Sequence, residues 1–275
     1  MMKKMMKKTF SLLLIFMLAF TMIPTSTLKV SAKAAAATTQ AKKATTKTAK
    51  KTAKKKKKTK AKKQRAELVA AGLFIAAGHQ QRGISSTERL APGSSRRKAK
   101  LTSGTAGVRT HIPEYKTNLA IAKATKKELK KRGYKVIMLR TTNNCPLSNQ
   151  QRTKKANKSG ADIHICIHCN ASGASARGPL VCVPGSSRYV GKKIFNSSRR
   201  LGSCLLSSVA KAVNKKSHGT IRSDYYTTIN WAKIPTMILE CGFLTNPTED
   251  RQLNSSSYQK KLAKGIANGV DKYFK

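Results

Sequence analysis

Three side chains suited to metal binding or acid–base chemistry stand where apolar, strand-like runs end. They are His79 after residues 73–77, His168 after residues 163–167 and Glu240 after residues 235–239. Glutamate is rarely buried without a partner, so its position at the end of such a run is typical of a functional site. In open α/β sheets, sites form at the carboxyl ends of the strands. Two histidines and a glutamate at such ends predict a metal-dependent hydrolase.

The elements that must position these residues alternate between strand and helix along residues 66–275. Strand patterns cover residues 73–77, 134–139, 162–168, 180–183 and 235–241. Helical patterns cover residues 117–132, 149–158, 190–214 and 257–274. This alternation predicts an α/β fold, a single three-layer domain with a mostly parallel twisted sheet flanked by helices.

The stretch from Gln80 to Pro113 interrupts this alternation. It is rich in Gly, Ser, Arg and Pro, and it is too long for an ordinary connection between elements. Because it lies between two candidate ligands, we expect it to be a functional loop that borders the site.

Four motifs occur in an order that marks a known family. They are Ala77-Gly78-His79, Pro113-Glu114-Tyr115 at the start of a helix, residues 165–171 around His168, and residues 239–247 around Glu240. On these motifs the chain, from about Leu73 to Phe274, resembles the zinc-dependent N-acetylmuramoyl-L-alanine amidases, the cell-wall hydrolases that include autolysins. The Gly-His-Gln form and the long insertion before Glu114 resemble clostridial-type members.

The resemblance implies a role for each motif. His79, Glu114 and His168 would hold one zinc ion, and Glu240 would be the catalytic base. Three His or Glu ligands leave one zinc position for water, as in other catalytic zinc sites. An unligated carboxylate can then take the water proton and pass it to the leaving amine. The implied reaction is cleavage of the amide bond between N-acetylmuramic acid and L-alanine in peptidoglycan.

Further polar residues are candidates for substrate contacts. A basic channel suits the carboxylates of peptidoglycan stems, so Arg140 and Arg152 are predicted to contact them, with Arg222 as another possibility. Asn170 is a predicted hydrogen-bond partner of the substrate. Alternatively, Arg140 or Arg152 pairs with Glu240, which would make that glutamate structural.

Two other histidines compete for the role of ligand. His164 has the strand parity of His168 but lies deeper, so it is expected in the core or behind the ligands. His111 precedes Glu114 by three residues and reaches the metal if the loop folds over it.

Ala76 departs from the family pattern. An acidic residue usually stands there, where it would orient the zinc-bound histidine by accepting its second N–H. In its absence, a backbone carbonyl or a water is expected to take that role for His79.

The amino-terminal part predicts export and attachment. Four lysines within the first eight residues, an apolar stretch and the small-residue site Val30-Ser31-Ala32 predict a signal peptide over residues 1–32, too short to remain as a membrane span. Residues 33–66 form a predicted disordered tether of Lys, Ala and Thr. Residues 67–275 form the predicted catalytic domain. We therefore expect a secreted, cell-wall-associated protein.

The charge of the chain points to polyanionic partners. Of 57 basic residues, 5 lie in residues 1–32 and 15 in residues 33–65, which leaves 37 against all 10 acidic ones, a net charge of +27 for the remainder. Such an excess implies a polyanionic environment. The resemblance implies peptidoglycan as the partner, and the charge predicts in addition that anionic wall polymers bind through the basic tether.

Six cysteines in a secreted chain permit disulfides, but three of them fall in predicted core strands. Cys166 and Cys169 differ by three positions, so they should point to opposite faces of a strand and not pair. We predict that the cysteines are small buried apolar residues.

Two other functions fit the same sequence. One is a polybasic wall- or nucleic-acid-binding protein whose catalytic site has decayed. The other is a zinc peptidase that acts within the stem peptide. Metal content and product analysis separate them from an amidase.

Overall fold

The computed structural model describes residues 71–275 together with Thr52, Ala53 and Lys56. The predicted signal peptide and most of the predicted tether lie outside the described residues. The chain divides into two compact units after Lys56, and every element named below belongs to the second unit.

Six of the eight strands in the described residues form the central sheet. The strands are β1 (Gly72–Ala77), β2 (Ile84–Arg89), β3 (Arg97–Leu101), β4 (Lys135–Met138), β5 (Ile163–Asn170), β6 (Leu180–Val183), β7 (Gly219–Arg222) and β8 (Thr236–Phe243). The sheet order is β4-β1-β5-β8-β6-β7. All its neighbours are parallel except β6 and β8. Strands β2 and β3 form a separate antiparallel hairpin.

Helices cover both faces of this sheet. They are α1 (Glu114–Lys131), α2 (Asn149–Asn157), α3 (Gly191–Val213), α4 (Thr227–Asn230), α5 (Pro247–Leu253) and α6 (Ser256–Phe274). Buried apolar residues of α1, α3 and α6 pack on one face. On the other face the apolar contacts include Ala156 of α2 and Ile229 of α4. The predicted α/β fold with a mostly parallel sheet is confirmed.

The hairpin is the main element that the sequence did not predict. Residues 80–113 contain β2 and β3 rather than only a loop. Their sequences, ISSTER and RKAKL, are too polar to register as apolar runs. Strand β7 was missed too, because it is mostly exposed and has no apolar run, and α4 and α5 were missed because 4 and 7 residues are too few to show a helical period.

The cysteines behave as small core residues. All six are free and buried. Cys166 and Cys169 belong to the apolar clusters on opposite faces of the sheet, which confirms the prediction that they do not pair. As to membrane insertion, no helix in the described part of the chain has the length and apolarity to span a bilayer.

Candidate active site

The carboxyl ends of β1 and β5 bring two histidines to one carboxylate. Nε2 of His79 lies 3.3 Å from Oε2 of Glu114, and Nδ1 of His168 lies 3.1 Å from Oε1 of the same residue. One ligand atom from each of the three residues lies within 4.8 Å of the others. Two imidazoles and a carboxylate at this spacing form a donor set that fits a zinc ion.

Two glycines allow this close approach. A side chain on Gly78 would collide with the imidazole ring of His168. Gly104 has a φ of +84°, and a Cβ there would lie 2.6 Å from Oε2 of Glu114. Bare backbone is therefore required on two sides of the cluster.

His79 is oriented by the segment that follows β3. Its φ of 56° is unusual for a residue with a side chain. Its Nδ1 lies 2.7 Å from the carbonyl oxygen of Thr102 and 3.2 Å from the Thr102 hydroxyl. A donor bond from Nδ1–H to that carbonyl leaves Nε2 free to bind a metal. The Thr102 carbonyl thus accepts the hydrogen bond from His79 that an acidic residue at position 76 would accept, where this chain has Ala76.

Glu114 opens α1 and is held by neutral donors as well as by the histidines. It is only 3% exposed. Its oxygens accept hydrogen bonds from the Asn118 amide and from the backbone N–H groups of Thr105 and Cys169. Burial alone would raise the pKa of Glu114, but the hydrogen bonds and charges of the two histidines hold that pKa well below its usual range. The carboxylate is therefore charged and fixed.

Glu240 lies beside this cluster but is not part of it. It occupies the position of β8 that pairs with His168 on β5. Its Oε2 atom is buried and has no hydrogen-bond partner among the described residues. Burial, and secondarily the charge of Glu114, raise the pKa of Glu240 well above its usual value. A carboxyl group whose pKa is raised in this way can accept a proton from a reactant and then return it.

The alternative in which Arg140 or Arg152 pairs with Glu240 is not seen among the described residues. Arg140 donates to the carbonyl oxygens of Ala77, Gly78, Tyr115 and Thr142. Arg152 donates to those of His79, Cys145 and Leu147. Both arginines are 4% exposed. The structure thus places their guanidinium groups against the backbone that carries His79, and these hydrogen bonds all go to main-chain oxygens.

The remaining predicted residues take different places. Asn170 ends β5 at intermediate exposure, and its Oδ1 accepts a hydrogen bond from the backbone N–H of Ala171. His164 is fully buried, with Nε2 at 3.2 Å from Cys166 Sγ. His111 is exposed and Arg222 lies at the exposed end of β7. Neither His111 nor His164 belongs to the His79–Glu114–His168 cluster.

One cleft of about 220 Å³ is lined by the two histidines of the cluster, by Glu240 and by the β2–β3 hairpin. Its walls include His79, His168 and Glu240, together with Lys98 and Thr102. The prediction that residues 80–113 border the site is confirmed. Thr102 and Gly104 were missed as individual residues, and the only signal for them was the Thr-Ser-Gly-Thr turn before Glu114.

Comparison with protein-family models gives one match. The family Amidase_3, described as N-acetylmuramoyl-L-alanine amidase, matches residues 73–272. This span contains the cluster, the acid and all of the strands except the first residue of β1.

Curated relatives are similar over about half of the chain. The uncharacterized protein YqiI of Bacillus subtilis is 32% identical over 157 residues, which is 57% of this chain and 72% of YqiI. The N-acetylmuramoyl-L-alanine amidase LytC of the same organism is 28% identical over 163 residues, 59% of this chain and 31% of LytC. The chain therefore matches less than a third of the length of LytC.

Solved structures show the same fold. The N-acetylmuramoyl-L-alanine amidase of Clostridium difficile 630 has a TM-score of 0.61 at 26% identity, covering 74% of this chain and 96% of that one. The N-acetylmuramyl-L-alanine amidase Ami1 of Mycobacterium smegmatis has a TM-score of 0.67 at 20% identity, covering 74% and 97%. At 20% identity, the similarity to Ami1 shows only that the folds are alike.

Proposed function

Because the chain belongs to the N-acetylmuramoyl-L-alanine amidase family, we propose that it is a secreted zinc hydrolase. It cleaves the amide bond between the lactyl group of N-acetylmuramic acid and L-alanine in peptidoglycan. The observation that carries this proposal is the cluster of His79, Glu114 and His168, with an unpartnered Glu240 in the same cleft.

The chain's own residues divide the work. His79, Glu114 and His168 hold the zinc ion, which when bound acidifies a water and polarises the substrate carbonyl. Glu240 takes a proton from the attacking water and delivers it to the leaving alanine nitrogen. Burial raises the pKa of Glu240, which suits a group that accepts a proton and then gives it up again.

Two predicted substrate residues receive a different proposal. Arg140 and Arg152 position the His79 turn through their bonds to the carbonyl oxygens of Ala77, Gly78 and His79. Both guanidinium groups are buried as well, so a stem carboxylate has little access to the N–H donors that remain. Asn170 keeps its proposed role as a substrate hydrogen-bond partner, because it follows His168 by two positions and is accessible.

Export and attachment complete the proposal. The predicted signal peptide over residues 1–32 sends the chain out of the cell, and the 15 basic residues of 33–65 bind anionic wall polymers. The net charge of +27 on the remainder favours retention near the same polymers.

Product analysis tests the reaction. Purified peptidoglycan is digested with the zinc-loaded chain, and new termini are identified by mass spectrometry. The proposal predicts stem peptides with N-terminal alanine and glycan with intact lactyl acids, both abolished by a chelator and restored by zinc. New termini within the stem would identify a peptidase instead. No products from a chain that purifies without zinc would identify a binding protein with a decayed site.

A further inference from the structure

The catalytic cleft has one lysine or arginine among the described residues that line it, and this is Lys98 on β3. The other charged or titratable residues in its walls are His79, His168, Tyr226 and Glu240. Arg140 and Arg152 are buried and bonded to backbone carbonyls, and neither lines this cleft. Lys98 is therefore the cation that a bound substrate would meet.

Lys98 is fixed but not neutralised. Its Nζ donates to the backbone carbonyl of Tyr225 at 3.0 Å and lies 3.8 Å from the centre of the Tyr225 ring. An ammonium has three donors, so two remain. No carboxylate lies within 4.0 Å of this ammonium in the described part of the chain. Lys98 is half-buried, so an anion in the cleft would gain a charge-assisted hydrogen bond there.

The hairpin that carries Lys98 is anchored to the domain. The indole N–H of Trp231 donates to the carbonyl of Arg89 at 3.1 Å. The backbone N–H of Gln150 donates to Glu88, on β2, at 3.0 Å. A lysine on a fixed wall loses less conformational freedom on binding than one on a mobile loop, which favours its use as a recognition group.

We propose that Lys98, held by Tyr225, forms a subsite for a carboxylate of the peptidoglycan stem. The inference rests on the proposed function, because the stem enters this cleft only if the alanine amide is the bond that is cut. The residue that follows L-alanine in a stem is an acidic one, whose α-carboxyl group is either free or amidated. The subsite would make the enzyme prefer the free acid.

Two muramoyl dipeptides that differ only at this carboxyl group, one free and one amidated, test the inference. The zinc-loaded wild-type chain is expected to cleave the acid with a kcat/KM about 10- to 100-fold higher, the range that a charged hydrogen bond gives. Lys98→Gln and Lys98→Met should lose that preference, because kcat/KM on the acid falls toward its value on the amide, mainly through KM.

Lys100→Gln is the matched control. Lys100 lies two residues further along β3 at similar exposure but does not line the cleft, so this variant should keep the preference. Zinc content and thermal unfolding of each variant report whether the hairpin and the metal site are intact.

Equal wild-type rates on the two substrates would overturn the inference and leave the proposed function standing. So would an equal loss on both substrates in Lys98→Gln, because that result would indicate a general structural role. Cleavage of neither substrate by a zinc-loaded wild-type chain would overturn the proposed function and this inference together.

Discussion

His168 and Glu240 occupy paired positions on the neighbouring parallel strands β5 and β8. Paired residues on adjacent strands lie on the same side of the sheet, about 4.8 Å apart in the hydrogen-bonding direction. The following cysteines, Cys169 and Cys241, both point into the apolar cluster on one face. A proposed ligand and the proposed base are thus held at a separation fixed by the sheet rather than by a loop.

Replacing Glu240 with glutamine should abolish most activity and keep the metal. The amide is nearly isosteric with the acid but cannot accept the proton of the attacking water. We expect kcat to fall by about 10²- to 10⁴-fold with the zinc content unchanged, measured by peptide release and metal analysis. Glu128→Gln, which alters a half-buried ion pair with Arg132 outside the cleft, should retain wild-type activity. A Glu240→Gln chain with full activity would exclude Glu240 as the base.

Removing a proposed ligand should remove the stabilisation by zinc. A ligand that binds only the folded chain adds about 2.7 kcal/mol at a free concentration 100 times its Kd. Wild-type protein should therefore unfold at a lower temperature after chelation and recover with zinc, whereas His168→Ala should show no zinc-dependent shift. His111→Ala is the control, because this exposed histidine lies outside the cluster. Zinc-dependent stabilisation of His168→Ala would argue against the assignment.

A methyl group at residue 78 should damage the site although no ligand residue is replaced. In Gly78→Ala the new Cβ would meet the His168 ring, so the ring must move from its place beside Glu114. We expect zinc affinity to fall by about 10- to 100-fold, the effect of disturbing groups that orient a ligand, as measured by competition with a chromophoric chelator. Gly173→Ala, where the new Cβ meets no atom within 4 Å, should bind zinc like wild type, and equal affinities in the two variants would contradict this account.

Asp250 should link stability to pH through the segment before α1. Its carboxylate accepts hydrogen bonds from the backbone N–H groups of Arg109 and Thr110, and from the Thr110 hydroxyl and the Asn254 amide. Burial opposes ionisation, but these bonds outweigh it and lower the pKa of Asp250. The folded-state pKa lies below the unfolded-state value, so the stabilisation is present above about pH 4 and is lost as the pH falls through the folded-state pKa.

Asp250→Asn should accordingly lower the free energy of unfolding by about 2 kcal/mol at pH 7, the scale of a charged hydrogen bond. The difference from wild type should shrink at pH 3. Urea unfolding at both pH values measures this, and a deficit that is equal at both would show that the charge of Asp250 contributes nothing.

The basic tether should govern retention on the wall. Deletion of residues 33–65 removes 15 positive charges, so binding to purified cell walls should weaken most clearly at low salt, where charges are least screened. Co-sedimentation with walls over a salt series measures the effect. Retention that does not change on deletion would place wall binding in the rest of the chain.

The fold was predictable where apolar residues recur with a clear period. Strands β1, β5 and β8 are apolar runs, and each was predicted to within two residues of its bounds. The β2–β3 hairpin was not, because contacts with other parts of the chain, such as Trp231 with Arg89, support it in place of an apolar pattern.

The site was predictable only as far as side chains carry the signal. The motifs around His79, Glu114 and His168 predicted residues that the structure does bring together. The Thr102 carbonyl that orients His79 could not be identified from the sequence, because every residue has a backbone carbonyl. Likewise, an arginine such as Arg152 that donates to backbone carbonyls has the same letter as one that binds a substrate carboxylate.

The most direct test is a zinc titration of the metal-stripped chain. The readout is the release from purified peptidoglycan of stem peptides that begin with alanine. The account predicts no release before zinc is added and a rise that ends at one zinc per chain. Glu240→Gln should bind the same single zinc and release almost nothing. Release of these peptides without zinc would contradict the central claim. So would a rate of release by Glu240→Gln equal to that of the wild-type chain.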